Sequence, residues 1–270
     1  MTPESSQWVR KKVVRIEKGS RRSAVDAVAC EEPLEIRVDT RPISVTMRTP
    51  GHDEELALGF LVSEALLRRR SEVVKLETYR RNRDGNVLDV FLAPEVRIDF
   101  ARLTRHVFAS SSCGLCGKAT IASVRQQFPP LRGGTAVKAS VISNLSEQLR
   151  RGQPTFARTG GLHAAGLFDN SGALLCVRED VGRHNAVDKI LGWAFQRDLL
   201  PLREKILLVS GRASFEIMQK ALAGGIAVVA AVSAPSSLAI EFARRSGQGL
   251  IGFLREGRFN IYAGAKRIAR

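Results

Sequence analysis

Polar and apolar residues alternate with period two in Glu35-Ile36-Arg37-Val38-Asp39 and again in Ile43-Ser44-Val45-Thr46-Met47. This pattern predicts two half-buried strands joined at Thr40-Arg41-Pro42. Thr49-Pro50-Gly51 then turns the chain into a run whose apolar residues Leu56, Phe60, Leu61, Ala65 and Leu66 fall near helical spacing. Asp53, Glu54 and Glu55 occupy its first turn, where the helix dipole favours negative charge. Strands are expected at 73–79 and 87–92 around an Asp84-Gly85-Asn86 turn, and helices at 120–128, ending before Pro129-Pro130, and at 143–151. Residues 131–138 read as a connector. Further on, 162–168 and 174–178 bracket the turn-rich Asp169-Asn170-Ser171-Gly172 and predict an antiparallel pair. An amphipathic helix at 185–198 leads into a regular alternation: strand 205–209, helix 214–223, strand 226–232, helix 236–245, strand 250–254. Short apolar runs alternating with helices predict parallel strands buried on both faces and linked by right-handed crossovers.

These elements divide the chain into a loose basic arm at 1–24, a smaller α+β domain at 25–105, a connecting region at 106–155 and an α/β domain at 156–270. The class is α/β, or α+β overall. Val9, Val13, Val14 and Ile16 offer the arm only a short strand. With 270 residues and 44% hydrophobic content, there is ample material for a core. The N-terminal residues contain no apolar stretch, and the longest apolar run, 221–235, is too short and Gly-rich to span a bilayer. A cytoplasmic protein without membrane contact is therefore expected. Four cysteines in such a chain argue against a disulfide scaffold. The net charge of +15, from 42 basic and 27 acidic residues, favours polyanions. With two Trp and two Tyr there is little aromatic surface for stacking on bases, so a phosphate-rich small molecule is expected rather than nucleic acid.

Two predicted strands run into polar turns that open helices, Ser210-Gly211-Arg212-Ala213-Ser214 and Ser233-Ala234-Pro235-Ser236-Ser237, and a third ends in Phe253-Leu254-Arg255-Glu256-Gly257-Arg258. In an open α/β sheet, ligands collect beyond the carboxyl ends of the strands, where helix N–H groups, hydroxyls and guanidinium groups meet anions. Ser210, Arg212 and Ser214 are accordingly candidate phosphate ligands. Arg178-Glu179-Asp180-Val181-Gly182-Arg183-His184-Asn185 is dense in polar side chains. Its Asp180, Arg183, His184 and Asn185 either grip phosphate and a base edge or cap the next helix. His52 and His163, each alone, read as structural, and Cys30 and Cys176 as small buried residues.

The stretch Ser111-Ser112-Cys113-Gly114-Leu115-Cys116-Gly117-Lys118 sets two thiols three residues apart. No second Cys-x-x-Cys completes an ordinary zinc site. Two readings stay open. His52-Asp53-Glu54 with the downstream pair echoes a zinc deaminase, although Ser112 stands where a Pro is usual. Alternatively, Cys113 or Cys116, with its pKa lowered by Lys118 and a helix N-terminus, accepts sulfane sulfur as a persulfide, and the other thiol releases it by forming a disulfide.

The chain resembles the formate dehydrogenase accessory sulfurtransferases, the FdhD family. The likeness is carried by Glu31-Glu32-Pro33-Leu34, by Thr49-Pro50-Gly51-His52-Asp53-Glu54-Glu55-Leu56-Ala57-Leu58-Gly59-Phe60, by the Cys113 stretch and by Thr159-Gly160-Gly161-Leu162-His163-Ala164-Ala165. It continues through 178–189, 210–220, 233–241 and 253–262, with Ala227 standing where a Pro is common. The resemblance implies a cytidine deaminase-like α/β/α C-terminal domain that carries no protein-ligated metal. It also implies a homodimer that takes sulfur from a cysteine desulfurase onto Cys113, with Cys116 as its partner. The sulfur would pass to the molybdenum or tungsten bis-(molybdopterin guanine dinucleotide) cofactor needed by formate dehydrogenase, with Phe253, Leu254, Arg255, Glu256, Gly257 and Arg258 as the cofactor-binding segment. A chaperone that only holds the cofactor is the non-catalytic alternative.

Overall fold

The computed structural model describes residues 7–79, 86–98, 128–133 and 136–269. Its smaller sheet has the order β4-β3-β6-β5, from β3 (Glu32–Val38), β4 (Arg41–Arg48), β5 (Val73–Tyr79) and β6 (Val87–Leu92), as the period-two pattern predicts. Helix α1 (Asp53–Ser63) lies on this sheet, its Leu56, Leu58, Leu61 and Val62 sharing a core with Leu34, Ile36, Val38, Leu88 and Val90. The helix is apolar nearly all round because it is covered twice. The second cover is helix α5 (Arg183–Gln196), which sends Phe195 into the same core.

The larger sheet has the order β13-β12-β11-β10-β8-β9. Its strands are β8 (His163–Asp169), β9 (Leu174–Asp180), β10 (Lys205–Val209), β11 (Val228–Ala231), β12 (Gly249–Arg255) and β13 (Arg258–Ala263). The three central strands β10, β11 and β12 are parallel, as expected, but β8, β9 and β13 pair antiparallel to their neighbours. The reason is connection length. Parallel pairing needs a crossover, and helices α6 (Phe215–Ala223) and α7 (Ser237–Ser246) supply the two available, whereas β8–β9 and β12–β13 are joined by tight turns. Alternate residues of β10 serve two cores, as the pleat requires. Leu207 and Val209 pack with Ala186, Ile190, Met218 and Phe242 beneath α5, α6 and α7. Ile206 and Leu208 pack with Ile142, Leu145 and Leu149 on the other face. There the helix expected at 143–151 is two, α2 (Ala139–Ser143) and α3 (Leu145–Arg151), which meet at Asn144. The short strands β7 (Val137–Lys138) and β14 (Ile268–Ala269) pair beside them, and helix α4 (Pro154–Thr159) precedes β8.

The segment expected as a loose basic arm is instead a hairpin. Strands β1 (Trp8–Glu17) and β2 (Ser20–Ala29) pair in unbroken register, from Trp8 opposite Ala29 to Glu17 opposite Ser20. Lys18 and Gly19 form its turn with φ of 48° and 81°, the left-handed pair that matches strand twist. Basic residues on both faces hide its alternation in the sequence. The expected helix at 120–128 lies outside the described residues apart from Phe128. Among the described residues, no helix is long and apolar enough to cross a membrane.

Two glycines fasten the sheets together. A Cβ on Gly59 of α1 would sit 1.8 Å from the Asp188 carbonyl oxygen of α5, and a Cβ on Gly192 of α5 would sit 1.8 Å from the Glu55 carbonyl oxygen of α1. The helix backbones therefore touch. Charges flank the crossing, and all are paired. Arg178 donates to both Glu55 oxygens at 2.5 and 2.7 Å, and Lys220 donates to Asp188 at 2.8 Å and to the Ser63 hydroxyl at 2.9 Å. Gly59→Ala and Gly192→Ala should each destabilise by at least about 3 kcal/mol, because backbone cannot yield as a side chain can. Thermal unfolding should show each midpoint lowered by about 10 °C. Gly161→Ala, whose Cβ would have its nearest contact at 3.5 Å from the Ala29 Cβ, an ordinary van der Waals distance, should unfold like the wild type. Unchanged midpoints for the two helix variants would refute the close crossing.

Candidate functional site

Backbone hydrogen bonds knit the carboxyl ends of the parallel strands into one rim. The Val232 N–H donates to the Val209 carbonyl, the Ser236 N–H to the Ala213 carbonyl at 3.0 Å, and the Phe253 N–H to the Ser233 carbonyl at 3.1 Å. Ser214 and Ser236 cap α6 and α7, each hydroxyl accepting from the N–H three residues on. On the far side, the Ser210 hydroxyl accepts from the Ala164 N–H at 2.9 Å, which ties the end of β10 to the start of β8.

Four cationic or titratable side chains gather beside this rim. His163, the first residue of β8, stands over Gly211, where an added Cβ would lie 3.4 Å from His163 Nδ1 and 3.9 Å from Arg183 Cδ. Arg183 opens α5, and its buried Nε has no hydrogen-bond partner among the described residues. A buried donor left without a partner costs about 1–3 kcal/mol, so this one favours an acceptor that the described residues do not supply. His184 Nε2 lies 3.4 Å from the Ser214 hydroxyl and 3.6 Å from a Glu216 carboxylate oxygen. Arg212 is exposed on the same loop. Burial lowers the His163 pKa below its ordinary value, and the charges of Arg183, His184 and Arg212 lower it further. Glu216 is held down at about 2, chiefly by its hydrogen bond with His184. The cluster thus attracts anions, with Glu216 the carboxylate paired to His184 among the described residues.

The other expected residues divide. Ser210, Arg212 and Ser214 stand at the rim as the sequence suggests. Arg255 donates through Nε to the Val232 carbonyl at 3.0 Å, so its guanidinium is tethered to the neighbouring strand end. Phe253 is 44% exposed, whereas the Leu254 side chain is fully buried and anchors the segment from beneath. Glu256 and Gly257 form the β12–β13 turn with φ of 49° and 74°, and Arg258 pairs with Glu256 at 3.3 Å with both side chains in solvent. The segment 253–258 is therefore a hairpin rather than a bare strand end. Asp180 and Asn185 face inward. Asp180 is fully buried against Lys189 at 2.7 Å, and Asn185 donates to Asp180 and to the Met47 carbonyl. They join β9 and α5 to the smaller sheet.

His52 has φ of 59° and stands 3.4 Å from Glu55, with its pKa lowered by burial and by Arg178, while Glu54 accepts from Gln196 at 3.3 Å. Among the described residues no group of His, Cys, Asp or Glu converges as a metal site. Cys113 and Cys116 lie outside the described residues. The two described thiols are both disfavoured as thiolates: Cys176 is buried, which pushes its pKa up to about 12, and half-buried Cys30 is raised by burial and by Glu32. The clustering of His163 with Arg183 and His184 is what sequence reasoning misses, because it depends on the β8–β9 register, which sets His163 opposite Asp180, three residues before Arg183. The glycine at 211, between two strand-end serines, is the signal that could have pointed to it.

A family model described as the FdhD/NarQ family matches residues 29–269. A protein of Mycobacterium tuberculosis named "Sulfur carrier protein FdhD" is 52% identical over 253 residues, covering 90% of this chain and 92% of its own length. A protein of the same name from Streptomyces coelicolor is 50% identical over 272 residues, covering 96% and 95%. A crystal structure from Desulfotalea psychrophila, described as a formate dehydrogenase accessory protein, superposes with a TM-score of 0.77 at 25% identity over 98% of this chain and all of that one.

The Glu216–His184 contact has a pH signature. Glu216 has its folded pKa depressed from 4.5 to about 2, so the stability it lends is complete above the ordinary carboxylate range and is lost as pH falls towards about 2. The gap in urea midpoint between wild type and Glu216→Gln should therefore be wide at about pH 5 and narrow at about pH 3. A gap of equal width at both would show that the carboxylate charge does not engage His184.

Proposed function

The chain belongs to the FdhD/NarQ family, and from that premise we propose that it is a sulfur carrier serving formate dehydrogenase, with sulfur held as a persulfide on Cys113. A cysteine desulfurase is the donor. The thiolate of Cys113 attacks the outer sulfur of the desulfurase's cysteine persulfide, breaking that S–S bond and releasing the donor's thiolate. Cys116 then attacks the Cys113 sulfur, forming a disulfide and releasing the outer sulfur as hydrosulfide. The two electrons that reduce sulfane sulfur to sulfide come from the dithiol. A cellular thiol must afterwards reduce the disulfide, which suits a cytoplasmic setting. The acceptor is a molybdenum bis-(molybdopterin guanine dinucleotide), bound as cargo, and the active form is a homodimer.

The observation that carries the cargo reading is the buried Arg183 Nε without a partner, set beside His163, His184 and Arg212 at the rim of three strand ends. A dinucleotide brings pyrophosphate oxygens that satisfy such donors. Ser210 and Ser214 line the same rim, and Phe253, Arg255 and Arg258 extend it along the β12–β13 hairpin, where the exposed aromatic ring and the guanidinium groups suit a base and further phosphate. The cis-acting chemistry asked of this chain is modest. It holds the cargo and offers a thiol pair.

Incubation with a cysteine desulfurase and cysteine should add about 32 Da per sulfur to the wild type. Cys113→Ala should abolish this loading, Cys116→Ala should load but fail to release, and Arg255→Ala with Arg258→Ala should load normally yet copurify with far less cofactor. Loading and formate dehydrogenase activation that survive both cysteine substitutions would end the relay reading. If the arginine variants alone then failed, a cofactor-holding chaperone would replace it.

A further inference from the structure

We propose that one face of the β1–β2 hairpin is a docking surface for an acidic protein partner that exchanges material at the strand-end rim. The hairpin lies outside the matched family region except for its last residue. Its unbroken register sorts its side chains into two faces. One face carries Val9, Lys11, Val13, Arg15 and Glu17 opposite Val28, Asp26, Ala24, Arg22 and Ser20. Both carboxylates of the ribbon are on this face, and both are used, Asp26 by Arg15 at 3.7 Å and Glu17 by Arg22 at 2.8 Å.

The other face has no carboxylate. It presents Arg10, Lys12, Val14 and Ile16 beside Arg21 and Val25, with Val14 56%, Ile16 71% and Val25 59% exposed. Among the described residues, Arg10, Lys12 and Arg21 have no carboxylate within ion-pair distance. At its base this face is packed against the body, where Arg158 of α4 stacks on Trp8 at 4.4 Å and Ala29 meets Gly161. Two residues beyond Gly161 stands His163, over Gly211 at the rim. The outer part of the face is bare, and a two-stranded ribbon on its own is marginal in water. Three β-branched residues set among unpaired cations call for a partner with an apolar strip bordered by carboxylates.

Charge decides the occupant. The same face of a second copy would set Arg10, Lys12 and Arg21 against like charges. Nucleic acid would satisfy the cations but leave Val14, Ile16 and Val25 against phosphate. An acidic protein satisfies both. The inference rests on the sulfur-relay reading only for its two test partners, the cysteine desulfurase and the formate dehydrogenase.

The test uses the full chain with two variants, Val14→Asp/Ile16→Asp and Arg10→Glu/Lys12→Glu/Arg21→Glu, and measures binding to each partner in about 0.1 M salt. Each variant should lose about tenfold or more in affinity for at least one partner, and wild-type binding should weaken as salt rises. Unchanged affinity in the variants, or no binding of either partner to the intact chain, overturns the proposal. So does sedimentation showing that the variants convert a dimer to monomers, or a loss confined to binding of duplex DNA. Persulfide loading measured by mass on the same wild-type sample separates the two readings: absent loading strikes the relay, while the affinities judge the hairpin.

Discussion

The contact between Gly59 and Gly192 is the constraint on which the rest of the molecule depends. Two helix backbones in contact bring the smaller sheet close enough for charged side chains to reach across and be fully satisfied. Arg178 grips Glu55, Lys220 holds Asp188 and Ser63, and Lys189 sits between Asp180 and the Thr49 carbonyl at 2.9 Å. Separated by even one methyl group, these pairs would be stretched into a space that water enters poorly. Charges stranded there would cost several kcal/mol each, so the close packing and the ion pairs stand or fall together.

That seam also shapes the electrostatics of the rim. Asp180 of β9 and Asp188 of α5 are spent inward, on Lys189 and Lys220, while Arg183 and His184 at the start of the same helix stand at the rim with Glu216 beside His184. Within the segment from 178 to 189, Arg178, Asp180 and Lys189 are engaged at the seam with the smaller sheet, while Arg183 and His184 stand at the rim. Burial of Asp180 and exposure of Arg212 belong to a single arrangement rather than to two independent sites.

Much of the architecture was legible because alternation and helical spacing are local. The strand β10 and the pair β5 and β6 fall where their apolar runs say, and Ser214 and Ser236 cap the helices they precede. What escaped was either masked or non-local. The β1–β2 ribbon hides its pleat under basic residues on both faces, and β13 looks like ligand-binding loop because Arg255 and Arg258 sit on both sides of its turn. Asp180 and Asn185 read as ligands or helix caps because nothing in their neighbourhood reveals Thr49 and Met47, more than a hundred residues earlier, as their partners. His163 looks solitary for the same reason. The family resemblance carried the thiol pair further than residue patterns could, since two cysteines alone do not distinguish a metal site from a carrier.

The rim's framework is made of main-chain hydrogen bonds: Val232 to Val209, Ser236 to Ala213, Phe253 to Ser233. Peptide groups are the same whatever side chains they bear. Descendants of this chain can therefore exchange residues around the pocket, retuning its grip or its preference, without redrawing its outline. The geometry is inherited through the backbone, and the side chains are left free to drift or adapt upon it.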